Sequence, residues 1–265
     1  MKNFADKVIW ITGASSGIGE ALCIQFASLG AKIILSSRNE NELQRVAGLC
    51  KLDEKNHLIL PFDLSDTSHL TPLMDIILSK FGKIDVLINN GGLSQRSVAL
   101  TTDMKTVRQL MEVNFFSAVA LTQAVLPHMI GNNNGQIVVV SSIAGKFGFY
   151  LRSTYSAAKH ALHGYFESLR LETEDKGIKT LIVCPGKIKT NISLNAVAAK
   201  GSKHGKMDPS HENAMSAEDC AKKIIHGIAE GKKEIFIGGK ELRAIWVKRF
   251  FPKLFSILIR KQNPL

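Results

Sequence analysis

Seven short runs of β-branched or aliphatic residues recur along the chain, and each is followed by a segment long enough for a crossover helix. The runs lie at 8–11, 33–35, 58–60, 86–88, 137–140, 181–183 and 235–237. Near-continuous apolar runs of this length suit strands buried on both faces, the situation in parallel sheets covered by helices. Because the rhythm continues without a break in composition, it predicts one α/β domain. The expected architecture is a Rossmann-type, doubly wound, mainly seven-stranded parallel sheet with right-handed crossovers and helices on both faces. A length of 265 residues fits one such domain. Residues 1–240 read as that domain and residues 241–265 as a basic amphipathic extension. The longest irregular stretch, residues 191–215, is rich in Gly, Lys, His, Ser and Ala. It reads as a substrate loop, either a lid or a segment partly without order.

After the first run comes Thr12-Gly13-Ala14-Ser15-Ser16-Gly17-Ile18-Gly19, then Leu22, Phe26 and Leu29 at helical spacing. Glycines allow a tight turn and close backbone approach, and a helix N-terminus offers free N–H groups and a positive dipole end to a pyrophosphate. A glycine-rich turn alone is a weak signal; here it stands between a strand and a helix, where the motif requires it. At the end of the second run an NAD-selective site would place an acid on the ribose hydroxyls. This chain reads Ser36-Ser37-Arg38-Asn39 instead. Ser37 leaves space and Arg38 offers charge-assisted hydrogen bonds to a 2′-phosphate, so NADP(H) is expected over NAD(H). The alternative is that Arg38 is a solvated loop charge and Glu40 reaches the ribose.

Tyr155 and Lys159 stand four residues apart in a helix-like run, 153–174, whose apolar positions Leu162, Phe166 and Leu169 continue the same face. Both side chains are therefore expected to point inward, where an ammonium favours ionisation of a nearby phenol. The competing reading is a surface contact of no consequence. Ser142 follows the fifth strand, thirteen residues before Tyr155, and either donates to a carbonyl or caps the next element. Asn114 interrupts the apolar spacing Val107, Met111, Ala118, Leu121 and Val125. It is either a register-setting buried amide or part of a polar chain to water.

Together these residues resemble the short-chain dehydrogenase/reductase superfamily, the single-domain branch with T-G-x-x-x-G-x-G and Y-x-x-x-K. Asn89-Asn90-Gly91-Gly92 after the fourth strand and Pro185-Gly186 leading to Thr190 belong to the same resemblance, which covers nearly the whole chain. Residues 89–97 and the C-terminal tail are most similar to the dehydrogenase/reductase family member 7 group. The resemblance implies a carbonyl/alcohol oxidoreductase with a catalytic set of Asn114, Ser142, Tyr155 and Lys159. Tyr155 would exchange a proton with the substrate oxygen, Lys159 would lower the Tyr155 pKa and bond the nicotinamide ribose, Ser142 would polarise the carbonyl, and Asn114 would hold a water leading from Lys159 to solvent. It implies a cofactor site made of Gly13, Ser15, Ser16, Gly17, Ile18, Gly19, Ser37, Arg38, Leu64, Gly91, Pro185 and Gly186. Asp63 would face the adenine, Asn90 the adenosine ribose, and Ile188 with Thr190 the carboxamide. Two departures are Gly91, where many relatives have Ala and the turn is expected to loosen, and Lys187, where many have a second Pro. Lys187 reads as a solvated charge.

A composition of 45% hydrophobic and 22% charged residues excludes disorder as the main state. The net charge of +11 favours anionic ligands, an acidic partner or an anionic membrane. Cys23, Cys50, Cys184 and Cys220 show neither a disulfide framework nor metal-ligand spacing, which points to a reducing compartment and no metal. The first run begins too near the start to leave room for a signal peptide, and no uncharged stretch approaches the ~20 apolar residues of a membrane span, so the cytoplasm is expected. No nucleic-acid-binding motif accompanies the charge. In the tail, Arg243, Lys248, Arg249, Lys253, Arg260 and Lys261 alternate with aromatic and aliphatic groups, and Pro252 divides two short helices. This pattern suits peripheral contact with an anionic bilayer, or an apolar face packed on the domain or on a second subunit of a homodimer or homotetramer. Phe147, Phe149 and Tyr150 suggest a lipophilic carbonyl substrate. A ketoacyl group on an acidic carrier protein is the alternative substrate, and a catalytically silent cofactor-bound binding protein is the alternative of another class.

Overall fold

The structure, a computed structural model, describes residues 4–202, 205 and 214–261. Its sheet contains β1 (Val8–Thr12), β2 (Lys32–Ser36), β3 (His57–Ile59), β4 (Val86–Asn89), β5 (Gly135–Val140), β6 (Ile178–Pro185) and β7 (Glu234–Ile237). All seven are parallel, in the order β3-β2-β1-β4-β5-β6-β7. Register pairs Ile9 with Ile33, Ile11 with Ile88 and Val140 with Val183.

Period-two alternation sends each strand's side chains to two cores. Ile9, Ile11, Ile33, Leu35, Val138 and Val183 meet α1 (Gly17–Ser28), α2 (Glu40–Cys50) and α7 (Ala217–Ala229) through Phe26, Val46 and Ile224. Val8, Trp10, Ile34, Leu87, Val139 and Ile182 meet α3 (Leu70–Phe81), α5 (Ser117–Gly131) and α6 (Ser153–Thr173) through Ile77, Leu121 and Phe166. Both faces of the central strands are thus buried, as their unbroken apolar runs require. The expectation of two-sided burial fails for β3 and is only partly met in β7, because both are edge strands and most of their residues stay half-buried.

α4 (Met104–Met111) passes through a π-helical turn, Glu112–Phe116, into α5. This continuous helical run, Met104–Gly131, is long and apolar enough to cross a membrane, contrary to the expectation that no such stretch exists. Its apolar residues have another use here: Leu110, Val113, Ala118, Leu121, Val125 and Met129 are buried in the protein. Beyond β7, α8 (Arg243–Phe250) and α9 (Pro252–Arg260) divide at Pro252, which stands at the first position of α9. Strand order reverses between β1 and β4, and this switch point at the strands' carboxyl ends is where open α/β sheets bind ligands.

Candidate active site

A cleft of about 910 Å³ opens there, walled by the turns after β1, β2, β4, β5 and β6 and by residues of the C-terminal extension. All of the expected site residues except Gly19 line it. Gly19 supports it from behind, packed against Gly13 and Asn90; Pro185, in the wall, accepts a 3.4 Å hydrogen bond from Ser142 Oγ.

The turn after β1 is built for an anion. Gly13 has φ +65°, and a Cβ there would lie 2.8 Å from Gly91 Cα, so only glycine fits. The Ser16 side chain, at the N-cap of α1, accepts no hydrogen bond from the helix's first turn, which leaves its leading N–H groups free of a side-chain cap beside the cleft. Asn90 Nδ2 donates to Thr12 O at 2.9 Å and its N–H to Thr12 Oγ1 at 3.0 Å. Its amide therefore fixes the turn, and Asn90 also lines the cleft. Leu64 Cδ1 occupies the place an alanine methyl would take at Gly91. The turn is filled by Leu64 and not loosened.

At the adenosine end Arg38 is 66% exposed and approaches Asp63, with 3.8 Å between Nη1 and Oδ2. Ser37 Oγ is buried in the cleft wall and has no hydrogen-bond partner. A buried hydroxyl of this kind calls for a polar ligand atom. Glu40 begins α2 exposed, accepting from Gln44 at 3.4 Å, and does not line the cleft. The uncapped helix end, the orphaned Ser37 hydroxyl and the glycine cradle fit a dinucleotide.

At the other end Tyr155 and Lys159 are buried, 7% and 5% exposed, on the inward face of α6. Lys159 Nζ donates to Val140 O at 2.8 Å and lies 5.7 Å from the Tyr155 ring centroid. Burial lowers the Lys159 pKa to about 8. Burial also holds the Tyr155 phenol above its usual value, outweighing the opposite pull of the Arg152 charge and the Ser142 hydroxyl. The expected lowering of Tyr155 by Lys159 is therefore absent from this structure: desolvation of the phenolate dominates, and the ammonium is turned to a carbonyl. A buried phenol kept neutral is a proton donor. Ser142 caps the next element, its Oγ accepting from the Ala144 N–H at 3.1 Å, and its side chain also meets Tyr155 in the cleft. Asn114 sits in the π-helical turn, donating to Leu110 O at 2.9 Å and Leu93 O at 3.0 Å and accepting from the Leu93 N–H at 3.1 Å. It is the register-setting amide of the first reading, and the remaining lone pair on Oδ1 faces the space shared with Lys159 Nζ beside Gly92.

Ile188 is buried and Lys189 N–H donates to Met215 O at 2.8 Å, while Thr190 packs against Gly17. Lys187 is exposed, as expected. The described part of the 191–215 loop is anchored by Val197, whose N–H donates to Ser94 O at 2.8 Å and whose carbonyl accepts from Arg96 at 2.9 Å. Positions 203, 204 and 206–213 of that loop lie outside the described residues. Phe147, Phe149 and Tyr150 line the cleft as expected.

Three groups escaped the sequence reading. Gln95 is fully buried, and its Oε1 accepts from the N–H groups of Thr154 at 2.8 Å and Tyr155 at 3.1 Å. Its Nε2 donates to Ser97 Oγ at 3.1 Å. The side chain caps α6 from a distant loop and so sets the height of Tyr155 in the cleft. Replacing Gln95 by Leu strands two helix donors and is expected to cost about 1–3 kcal/mol in urea denaturation; Gln95→Glu, which keeps the acceptor, is expected to recover most of that stability. Glu241 accepts from the N–H groups of Lys187 at 2.9 Å and Gly239 at 3.0 Å, clamping the extension to the turn after β6. Finally, ligand atoms of His163, Cys184 and Glu234 lie within 4.8 Å of one another although their spacing in the sequence shows no such group. Lys146 Nζ sits 2.6 Å from Glu234 Oε1 and already provides the cation there.

A profile of the short chain dehydrogenase family matches residues 7–201. The chain is 40% identical over 262 residues to an Anopheles gambiae protein named dehydrogenase/reductase SDR family protein 7-like, covering 97% of this chain and 83% of the relative. The chain belongs to the short-chain dehydrogenase family. Human dehydrogenase/reductase SDR family member 7 is 41% identical over 237 residues, covering 88% of this chain and 70% of that one. Among solved structures, a short-chain dehydrogenase from Streptomyces avermitilis superposes with a TM-score of 0.80 at 26% identity, covering 97% of this chain and 96% of its own. A Burkholderia phymatum short-chain dehydrogenase/reductase solved with NAD gives a TM-score of 0.85 at 24% identity, covering 100% and 98%. A metagenomic short-chain oxidoreductase solved with NADP gives 0.74 at 25%, covering 89% and 98%. The protein is thus an oxidoreductase of this family with a nicotinamide-dinucleotide fold.

Proposed function

We propose that this short-chain dehydrogenase is an NADP(H)-dependent carbonyl reductase and alcohol dehydrogenase acting on a lipophilic ketone, aldehyde or alcohol, with Tyr155 as general acid/base. The observation carrying this reading is the convergence, in one cleft, of a buried neutral phenol, a buried ammonium and an anion-seeking helix N-terminus. When bound, the nicotinamide supplies or accepts the hydride. Gly13, Ser15, Ser16, Gly17, Ile18 and Gly19 hold the pyrophosphate, and Asp63, Leu64, Asn90 and Gly91 enclose the adenosine. Pro185, Gly186, Ile188 and Thr190 hold the carboxamide side. Tyr155 passes its proton to the substrate oxygen while the Ser142 hydroxyl donates to the same atom. Lys159 bonds the ribose, and Asn114 keeps a water at hand to restore the proton.

Ser37 and Arg38, with no acid at the end of β2, support NADP(H) over NAD(H). Arg38→Ser is expected to weaken NADPH binding roughly tenfold, the loss of one charge-assisted hydrogen bond, and to leave NADH binding nearly unchanged. Tighter binding of NADH than of NADPH to the unaltered chain would contradict the preference. The apolar lining given by Leu93, Ile143, Phe147 and Phe149 supports a lipophilic substrate over a polar one. Turnover across a panel of lipophilic carbonyl compounds tests the activity, and a chain that consumed NADPH with none of them would be the silent binding protein. We further place the protein in the reducing cytoplasm, where its four free thiols persist, as a homodimer or homotetramer.

A further inference from the structure

The C-terminal extension has two faces with different work. Inward, Ala244 of α8 and Ile259 of α9 line the active-site cleft. Phe255 packs edge-on against Phe147, itself in the cleft wall, with ring centroids 5.1 Å apart. Lys248 Nζ ties α8 to the same loop by donating to Lys146 O at 3.0 Å. Outward, Trp246, Phe250, Phe251, Leu254, Ile257 and Leu258 are each between 44% and 64% exposed. Trp246 and Phe250 stack with an interplanar angle of 7°, presenting one flat aromatic surface. Six large apolar side chains concentrated on 13 residues of surface exceed the scattered exposure ordinary in a water-soluble chain.

The charge around this patch selects its partner. Between residues 242 and 261 there are six bases and no acid. An isologous contact between two copies would place this patch against itself and bring those bases together, which is unfavourable. An anionic bilayer offers apolar depth for the aromatic and aliphatic groups and negative headgroups for the bases at its surface. We propose that the outer face of α8 and α9 docks on an anionic phospholipid surface, and that the carbonyl substrate enters the cleft from that bilayer past the inner face of the same helices. The second half rests on the carbonyl reductase reading above. The extension is then both a wall of the active site and its contact with the store of substrate.

The chain carries its own reporter. It has two tryptophans; Trp10 is fully buried, with Nε1 bonded to Ser36 Oγ, and Trp246 is 60% exposed. The full chain is mixed with vesicles of phosphatidylcholine, alone or with phosphatidylserine, and followed by sedimentation and by Trp246 emission and acrylamide quenching. With phosphatidylserine present the protein is expected to sediment, its emission to move to the blue and its quenching to fall. Without the anionic lipid, or at high salt, binding is expected to weaken roughly tenfold or more. Phe250→Glu combined with Phe251→Glu is expected to abolish vesicle binding, to keep turnover of a water-soluble ketone, and to lose turnover of a long-chain ketone dissolved in the vesicles. Unaltered protein that stays in the supernatant, or a double variant that binds as well, overturns the docking. So does a dimer in sedimentation velocity that the double variant splits, because the patch then belongs to a second copy. Unchanged turnover of the vesicle-dissolved ketone by a non-binding variant overturns the delivery. Binding as described, with neither ketone reduced, upholds the docking and overturns the delivery together with the functional reading beneath it.

Discussion

Replacing Tyr155 by phenylalanine is expected to lower the rate of carbonyl reduction by about 10²–10⁴-fold, the usual share of a positioned general acid, with NADPH affinity nearly unchanged. The ring of Tyr155 is buried and its helix is held from above by Gln95, so the phenylalanine ring has the same cavity to fill. What disappears is the phenolic proton. Separate measurement of cofactor binding and of turnover distinguishes this from a collapsed site, in which both would fall. The accompanying pH dependence follows from Lys159. Its pKa is depressed to about 8, so the ammonium is complete below that value and is lost above it. The unaltered enzyme is therefore expected to reduce its substrate at a steady rate from neutrality to about pH 8 and more slowly beyond, since in the proposed mechanism the ribose would lose a charged donor and the proton relay its reserve.

A single methyl group at Gly19 is expected to have a comparable effect through binding. A Cβ at this position would run into the carbonyl of Gly13 and lie 2.7 Å from Asn90 Nδ2. Neither neighbour is free to move: the Gly13 backbone is packed against Gly91, and Asn90 is bonded to Thr12 O. Gly19→Ala must therefore displace the start of α1 from β1, with an overpacking cost of about 1–3 kcal/mol. The displaced N–H groups no longer converge on the pyrophosphate. Losing one or two charge-assisted hydrogen bonds corresponds to roughly a hundredfold weaker NADPH binding. Thermal or urea denaturation measures the first effect and a cofactor titration the second; a variant that bound NADPH as tightly as the unaltered chain would show that the turn is only structural.

The parts of this architecture that were legible in the sequence are those governed by local periodicity. Central strands such as β5 and β6 read as continuous apolar runs because both of their faces are covered. Tyr155 and Lys159 share a face because they are one helical turn apart, and the Gly13–Gly19 turn declares itself by lying between a strand and a helix. Groups that act across the fold left no such trace. Gln95 caps a helix 59 and 60 residues away, and Glu241 reaches a turn 54 residues away. In each case the meeting of side chain and backbone is made by topology. The π-helical turn at Asn114 was hidden for a related reason, since an extra residue in a helical turn does not change which residues are apolar. The raised pKa of Tyr155 was not legible either, because spacing reports that an ammonium is near but not that burial opposes the phenolate more strongly than Arg152 and Ser142 assist it. In the tail, composition offered a packed face and a membrane face as alternatives. Phe255 and Ile259 turn inward while Phe250 and Phe251 turn out, so one segment has both an inner and an outer apolar surface.

The account depends on a protonated phenol standing where a carbonyl oxygen becomes an alcohol. Its most direct test is a single turnover of the unaltered chain with NADPH carrying deuterium at the transferable position and a lipophilic ketone in excess. The account predicts an alcohol bearing the deuterium on its former carbonyl carbon and its new hydroxyl proton drawn from solvent. A chain that binds NADPH tightly yet leaves the label on the nicotinamide with every ketone and aldehyde offered would contradict it.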